Sequence, residues 1–466
     1  GIKLHNLRDV LSRGAKTVCL VPYSENSSNL IEHFANAVKV NIESTEFPTR
    51  FVVTKSDGQN YHCELGLIQG LKDKKQHELG SIFDFKKRDY ENTDKFNTVL
   101  LVPTGIGSEI GGHDGDAGPV AKLLASVSDI LITHPNVVNA SDINELPQNG
   151  LYVEGSVISR FLMGTIGLQK VRNNRVLVII ENHKDESFTN AAINAVNAAR
   201  ATYGFNCPQI VVLNPTAKLK SVYTSSGCAV GIVENYNSVV DVLEEHKNEY
   251  DAVAITSIID VPRSFHWDYF SLEGELVNPW GGVEAILTHA VSLMYNIPSA
   301  HSPMFESQEI SNIDPGIVDP RMAAEAISFT FLNSILKGLQ RSPRIITNQD
   351  LFTNDNILTS SDISCLVIPD KCIGLPTLAA LEHGITVIAV KENKNIMEND
   401  LTKLPWAKDQ LYIVDNYWEA AGLISAIRSG ITPESVRRPL SKANVSDRNY
   451  VENFVEQKNR ANTSEK

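Results

Sequence analysis

The chain has 466 residues, 42% of them hydrophobic and 21% charged, and a formal net charge of −13. This is globular composition with apolar material for about three domains. Its acidic balance and short basic runs (Lys74-Lys75, Lys86 to Arg88) exclude the positive stripe with which nucleic-acid binders neutralise phosphates, and no apolar run approaches the ~20 residues of a membrane-spanning helix.

Gly1 to His5 carries no apolar signal-peptide core, so the expected location is cytoplasmic, or plastid stroma if a transit peptide has been removed. The six cysteines form no CxxC pair and read as reduced thiols.

Short apolar runs alternate with helical periodicity along the chain. Thr17 to Val21 reads as a strand, followed by a helical stripe of Leu30, Ile31, Phe34, Ala35 and Val38. Thr98 to Val102 and Ile130 to Thr133 read as strands separated by a helix over Val120 to Val127. Arg175 to Ile180, Gln209 to Leu213 and Asp251 to Thr256 read as further strands, the first backed by a helix over Phe188 to Ala199. Pro320 to Leu339 reads as one helix, apolar on nearly every side. Ile363 to Ile368 and Ile385 to Val390 form a last strand pair around a helix with Pro376 in its first turn and Gly384 just past its end, the positions these residues favour.

Such alternation implies βαβ units. The expected fold is α/β, with two or three Rossmann-like domains, mainly parallel sheets and a ligand cleft between them. The expected divisions are an N-terminal domain over 1–96, a central region over 97–345, a C-terminal segment over 346–436 and a charged tail over 437–466.

The densest chemical signal is the loop from Pro103 to Pro119. It contains six glycines and runs from a strand end to a helix start, the edge at which open α/β sheets bind ligands. Thr104, Gly105, Gly107, Gly111, Gly112, Gly115 and Asp116 are candidate ligand-binding residues. Glycine admits close backbone approach, and the helix start offers free N–H groups to an anion. Ile110 stands where a dinucleotide fingerprint needs its third glycine, and the ending of a P-loop is absent. Asp114 and Asp116 are candidate ligands of a divalent Mg²⁺ or Mn²⁺. Asp116 alternatively caps the following helix.

His113, Asp114, His134 and His301 are the candidate catalytic residues, the histidines as proton carriers or metal ligands. His134 and Asn136 follow the next strand and open on the same sheet edge, with Asn139 and Asp142 close behind. Trp280, Gly281 and Gly282 form a second candidate binding turn before a helix. On that helix Glu284 and His289 lie about 140° apart, too far to share a metal, and His289 reads as structural or interfacial. Asp260 and Lys371 are weaker candidates. Cys372 precedes a helix start, where the dipole would lower a thiol pKa.

These segments, with Asp314-Pro315-Gly316-Ile317-Val318-Asp319-Pro320-Arg321 and Cys372-Ile373-Gly374-Leu375-Pro376-Thr377, resemble an uncharacterised family of bacteria, including cyanobacteria, and of plant plastids. The family is a domain of unknown function and brings no catalytic residue with it. The resemblance implies a soluble metabolic protein. The leading expectation is an enzyme acting on a small phosphorylated or carboxylated metabolite in an interdomain cleft, with its reaction type open. The alternatives are a glycosyl- or phosphoribosyl-type transferase and a non-enzymatic ligand sensor or assembly protein. The expected partner is a small molecule, with no nucleic acid and no membrane; homo-oligomerisation is left open.

Overall fold

Runs of Val, Ile and Leu build a six-stranded sheet in the spatial order Leu411–Val414, Thr386–Val390, Cys365–Pro369, Asn97–Leu100, Ile130–Thr133, Gly150–Tyr152. Every pairing in it is parallel. Cys365–Pro369, Asn97–Leu100 and Ile130–Thr133 are buried at every position, as expected of strands covered on both faces. The structure, a computed structural model, describes residues 3–6, 19–23, 29–43, 46–69, 79–113, 115–214, 216–271 and 276–448.

The chain divides into two units, Gly1–Ile424 and Ser425–Lys466. In the second, the described residues are a helix end, a short 3-10 turn at Pro433–Val436 and mostly exposed chain to residue 448. That exposure agrees with its charged, polar composition.

From the centre of the six-stranded sheet the chain leaves in opposite directions. Asn97–Leu100 leads outward through Ile130–Thr133 to Gly150–Tyr152, and Cys365–Pro369 leads the other way through Thr386–Val390 to Leu411–Val414. The two central strands therefore define a switch point, where the carboxyl ends of adjacent parallel strands leave a crevice. The expected C-terminal segment 346–436 contributes three strands to the same sheet as residues 97–152. Helix Leu375–His383 has Pro376 in its first turn and ends on Gly384 at φ 75°, as its sequence requires.

A second sheet of eleven described strands is mixed. Ile210–Leu213, Val176–Glu181, Ala252–Asp260 and Ser299–Met304 are parallel. From Lys218–Tyr223 the order continues through Ala229–Glu234, Lys3–Asn6, Asn60–Gln69 and Glu46–Ser56 to Ile373–Gly374 with antiparallel pairing. Mainly parallel sheets were expected; the six-stranded sheet conforms and this one does not. Its antiparallel half draws on residues 46–69, inside the expected N-terminal domain, and they join a sheet shared with the centre of the chain. Ile373–Gly374 pairs with Val53 and Val52, which ties the central strand Cys365–Pro369 to the second sheet within a few residues of its end.

The single helix expected over Pro320 to Leu339 is broken into a 3-10 turn at Pro320–Met322 and helices at Ala323–Ile327 and Asn333–Gln340. The cause is Asp142. Its carboxylate accepts hydrogen bonds from Thr330 N (3.3 Å), Thr330 Oγ1 (2.6 Å) and Asn333 N (3.1 Å), giving these backbone groups an alternative to helical pairing. Phe331 sits at φ 52° in the break.

Candidate functional site

The crevice at the switch point is a cavity of about 210 Å³. Four strand ends supply one side: Leu101, Pro103 and Thr104 after Asn97–Leu100, His134 and Asn136 after Ile130–Thr133, Glu154 after Gly150–Tyr152, and Cys372 after Cys365–Pro369. The opposite side is helix Gly281–Tyr295. Its Gly281, Glu284, Ala285, Thr288 and His289 line the cavity at the i, i+3, i+4, i+7 spacing that puts residues on one helix face. Strand Glu46–Ser56 adds Arg50 and Phe51, and strand Ser299–Met304 adds His301.

Glu154 caps helix Gly155–Leu162 by accepting from Ser156 N (2.9 Å) and Val157 N (3.2 Å). The same carboxylate accepts from the Ser156 hydroxyl, from Thr288 Oγ1 (3.2 Å) and from His289 Nδ1. Burial opposes its ionisation, but the His289 ring and these donors outweigh burial and hold the pKa below the usual carboxylate range. His289 is fixed in the tautomer that donates from Nδ1, and its Nε2 hydrogen-bonds to none of the described residues. A buried carboxylate that hydrogen-bonds one ring nitrogen of a histidine fixes the orientation of the ring, an arrangement also found around general bases.

Glu284 behaves in the opposite way. It lines the cavity with 24% of its side chain accessible and receives no hydrogen bond from the described residues. Burial alone pushes its pKa up to about 8, so the carboxyl is protonated at neutral pH. Its Oε1 lies 3.7 Å from Nδ1 of His301. His301 is buried, which pulls its pKa down to about 3 against the opposing charge of Glu181. Its Nε2 shares a hydrogen bond of 2.7 Å with the Ser257 hydroxyl. The cavity therefore sees a neutral acid backed by a neutral imidazole and a buried hydroxyl.

His134 Nε2 accepts from Val102 N at 3.1 Å, which leaves Nδ1 as the protonated ring nitrogen. Burial, with the charge of His289 and against that of Glu154, lowers its pKa to about 4. His134 can thus offer a neutral N–H but no imidazolium. Asn136 Nδ2 donates to Gly111 O at 2.7 Å and so braces the loop above it. Cys372 also lines the cavity, but burial pushes its thiol far above the normal value. Desolvation here overrides the helix-dipole effect expected from the sequence.

Of the expected catalytic and ligand-binding residues that are described, Thr104, His134, Asn136, Gly281 and His301 line the cavity, and the other described ones do not. Gly105 (φ 75°) would place a Cβ 2.4 Å from Ala229 O, and a Cβ on Gly112 would lie 1.9 Å from Ser108 O. These glycines let backbone meet backbone. Gly107 faces Val277, Gly111 faces Val102, Gly115 faces Asn139 and Ala140, and Gly282 faces Ala229. Asp116 binds the loop to itself, accepting from Gly111 N (2.8 Å) and His113 N (3.3 Å), and burial raises its pKa to about 7. His113 is buried with Nδ1 2.8 Å from the Tyr269 hydroxyl, which in turn donates to Glu325. Burial and the charge of Arg321 lower its pKa to about 4. Trp280 packs edge-on against Tyr269, ring centres 5.1 Å apart. Asp114 lies outside the described residues. Among the described residues no three His, Cys, Asp or Glu side chains are grouped to hold a metal ion.

Glu154, Arg50, Glu284 and His289 were missed as site residues by sequence reasoning. The cavity-facing stripe on helix Gly281–Tyr295 was the available signal, and the Glu154-Gly155-Ser156 string after an apolar triplet was a weaker one.

Fold and cavity together define a mixed α/β protein with a cavity lined by histidines and carboxylates at the switch point of a parallel sheet. The chain belongs to the family described as "Protein of unknown function (DUF3326)", whose model matches residues 97–437. That span includes both central strands and helix Gly281–Tyr295; Arg50 and Phe51 lie outside it. The chain is also 29% identical over 342 residues to an uncharacterized lipoprotein of Synechococcus sp., covering 73% of this chain and 92% of that protein. Among the described residues no helix is long and apolar enough to cross a membrane.

Proposed function

We propose that this protein is an enzyme that transfers protons on a small polar metabolite bearing a carboxylate or phosphate. The metabolite binds in the cleft between the parallel sheet and the Rossmann-like part built on residues 176–304. One observation carries the reading: two histidine–carboxylate pairs of opposite ionisation face one cavity. Paired groups whose surroundings push their pKa values apart are the means by which a site runs acid and base chemistry together.

In this reading His289 takes a proton from the substrate at Nε2, and Glu154 stabilises the imidazolium formed. Glu284 gives its proton to the oxygen on which negative charge develops, and the neutral His134 N–H supports that oxygen. Isomerisation, hydration and hydrolysis all use such a pair. The soluble compartment of a cell, cytoplasmic or stromal, suits this chemistry.

The test is a thermal-shift screen of small carboxylates and phosphates, with hits followed by NMR in D₂O for product or for deuterium incorporation. The expected result is a hit that the wild-type protein converts or labels, with the rate falling ~10²-fold or more in folded His289→Gln and Glu284→Gln variants, the range typical of general acid–base groups. A ligand that binds the cavity but is neither converted nor labelled would overturn the enzyme reading in favour of a sensor.

A further inference from the structure

Three side chains stand in a row at the wall of the cavity, and strand register puts them there. In the parallel pair Ala252–Asp260 and Ser299–Met304, His301 is opposite Ile255. Ser257, two residues on from Ile255, points to the same face of the sheet, and its hydroxyl lies 2.7 Å from His301 Nε2. Ile255 shares a core with Val283, Ile286 and Leu287 of helix Gly281–Tyr295. That helix brings Glu284 Oε1 to 3.7 Å from His301 Nδ1 on the other side of the ring. Glu284 and His301 line the cavity and Ser257 does not, so the row Ser257, His301, Glu284 is not a nucleophilic triad.

The direction of the first hydrogen bond follows from what Ser257 lacks. The residue is 1% exposed, and its hydroxyl has no partner among the described residues other than His301 Nε2. A buried O–H needs an acceptor, so Ser257 donates and Nε2 accepts. The ring proton of the neutral imidazole then sits on Nδ1. Nδ1 is buried and makes no hydrogen bond with the described residues; Glu284 Oε1, 3.7 Å away, is the carboxyl oxygen beside it. The other tautomer satisfies less. Nε2–H would donate to Ser257, whose own O–H would have no acceptor, and Nδ1 would be left without a donor. A separation of 3.7 Å is beyond hydrogen-bond range while the carboxyl is neutral. When Glu284 loses its proton, the N–H dipole attracts the new charge, and a shift of a few tenths of an ångström closes a charge-assisted bond.

We propose that Ser257 is a positioning residue, which holds His301 in its Nδ1–H tautomer so that this N–H receives the carboxylate left when Glu284 donates its proton. The inference rests on the acid role given to Glu284 above and deepens it by naming the group that meets the resulting charge. The O–H bond of Glu284 breaks toward the substrate, the electron pair stays on Glu284, and no proton moves at His301 or Ser257. A donor fixed in advance and shielded from water stabilises such a charge without reorganising.

The experiment is NMR of the full chain with ¹⁵N-labelled histidine and ¹³C-labelled glutamate carboxyls, the signals of His301 and Glu284 being identified by their loss in His301→Gln and Glu284→Gln. At neutral pH wild-type His301 should show a protonated Nδ1 and a bare Nε2. Folded Ser257→Ala frees the ring, and its nitrogen signals should move toward those of mixed tautomers; Ser257→Thr, which keeps the hydroxyl, should leave them in place. In Ser257→Ala the Glu284 carboxyl should also titrate above the wild-type value of about 8, because a donor to its charged form is lost. The other titratable groups on the cavity wall, Arg50, His134, Glu154, His289 and Cys372, and Glu181, whose charge acts on His301, are the same in both proteins. Wild-type His301 protonated on Nε2 would overturn the proposal, and this measurement decides the matter if Ser257→Ala does not fold. Unchanged His301 and Glu284 signals in folded Ser257→Ala would overturn it as well. No substrate enters the experiment, so its outcome is separate from that of the ligand screen that tests the enzyme reading.

Discussion

Glu154 and Glu284 both face the cavity, each has a histidine beside it, and the structure ionises them oppositely. Glu154 is the more deeply buried by surface, with 3% of its side chain exposed against 24% for Glu284, yet Glu154 is the one that keeps its charge. The difference lies in donors. Glu154 collects two backbone N–H groups, two hydroxyls and an imidazole, whereas Glu284 collects none from the described residues. Burial sets the penalty for a charge, and hydrogen-bond donors decide whether it is met. The two carboxylates thereby divide the acid and base roles without any difference in residue type.

The largest test of this contrast is Glu154→Ala. It strips the helix cap and leaves His289 Nδ1 without its acceptor, while Thr288 keeps only Ala285 O, so a stability loss of about 3 kcal/mol or more is expected in chemical denaturation. Glu154→Gln, which retains acceptor capacity, should lose less.

Next comes Glu284→Gln. Folded Glu284 keeps its proton up to about pH 8, while an unfolded glutamate releases it near 4.5. The folded state thus binds more protons between these values, and wild-type stability must fall as pH rises through that window. The variant removes this slope. Relative to wild type it should gain about 2 kcal/mol between pH 5 and pH 9, a figure discounted for the partial accessibility of the side chain. A flat difference would break the contrast. For the same reason, kcat/KM of any substrate found should decline above about pH 8.

His301→Gln should have a smaller effect, about 1 kcal/mol at neutral pH, because glutamine can still accept from Ser257. Folded His301 releases its proton near 3 and an unfolded histidine near 6.5. Its contribution to stability therefore grows as pH rises from 3 to 6.5 and is lost on acidification. The variant should resist acid unfolding better than wild type, read from circular dichroism against pH. The smallest effect expected is on Cys372: iodoacetamide at pH 8 should leave the native thiol unlabelled, with mass spectrometry as the readout.

The parallel strands were legible because residues buried on both faces read as unbroken apolar runs, as in Cys365–Pro369 and Ile130–Thr133. The antiparallel ribbon Glu46–Ser56 and Asn60–Gln69 was not, since its interruption by Pro48, Arg50 and Glu64 hides the alternation. The site was legible where it followed a strand, as with Thr104, His134 and Asn136. The glycine loop misled for a definite reason: Gly105 and Gly112 answer to Ala229 and Ser108, and composition alone does not distinguish close approach to a ligand from close approach to the protein itself. Glu154 and His289 were hidden because each acquires its chemistry from the other, and 135 positions separate them.

The central strand pair has a consequence for how the protein is made. Thr98 and Cys365 sit side by side, although they are 267 positions apart in the chain. A nascent chain must carry Asn97–Leu100 with one edge open while those residues are synthesised, exposing an apolar strand that invites mispairing. The sheet side of the cavity is not whole before residues 365–377 arrive. Late-stage assembly on the ribosome, rather than thermal strength, would then be the point at which substitutions in either half do most damage.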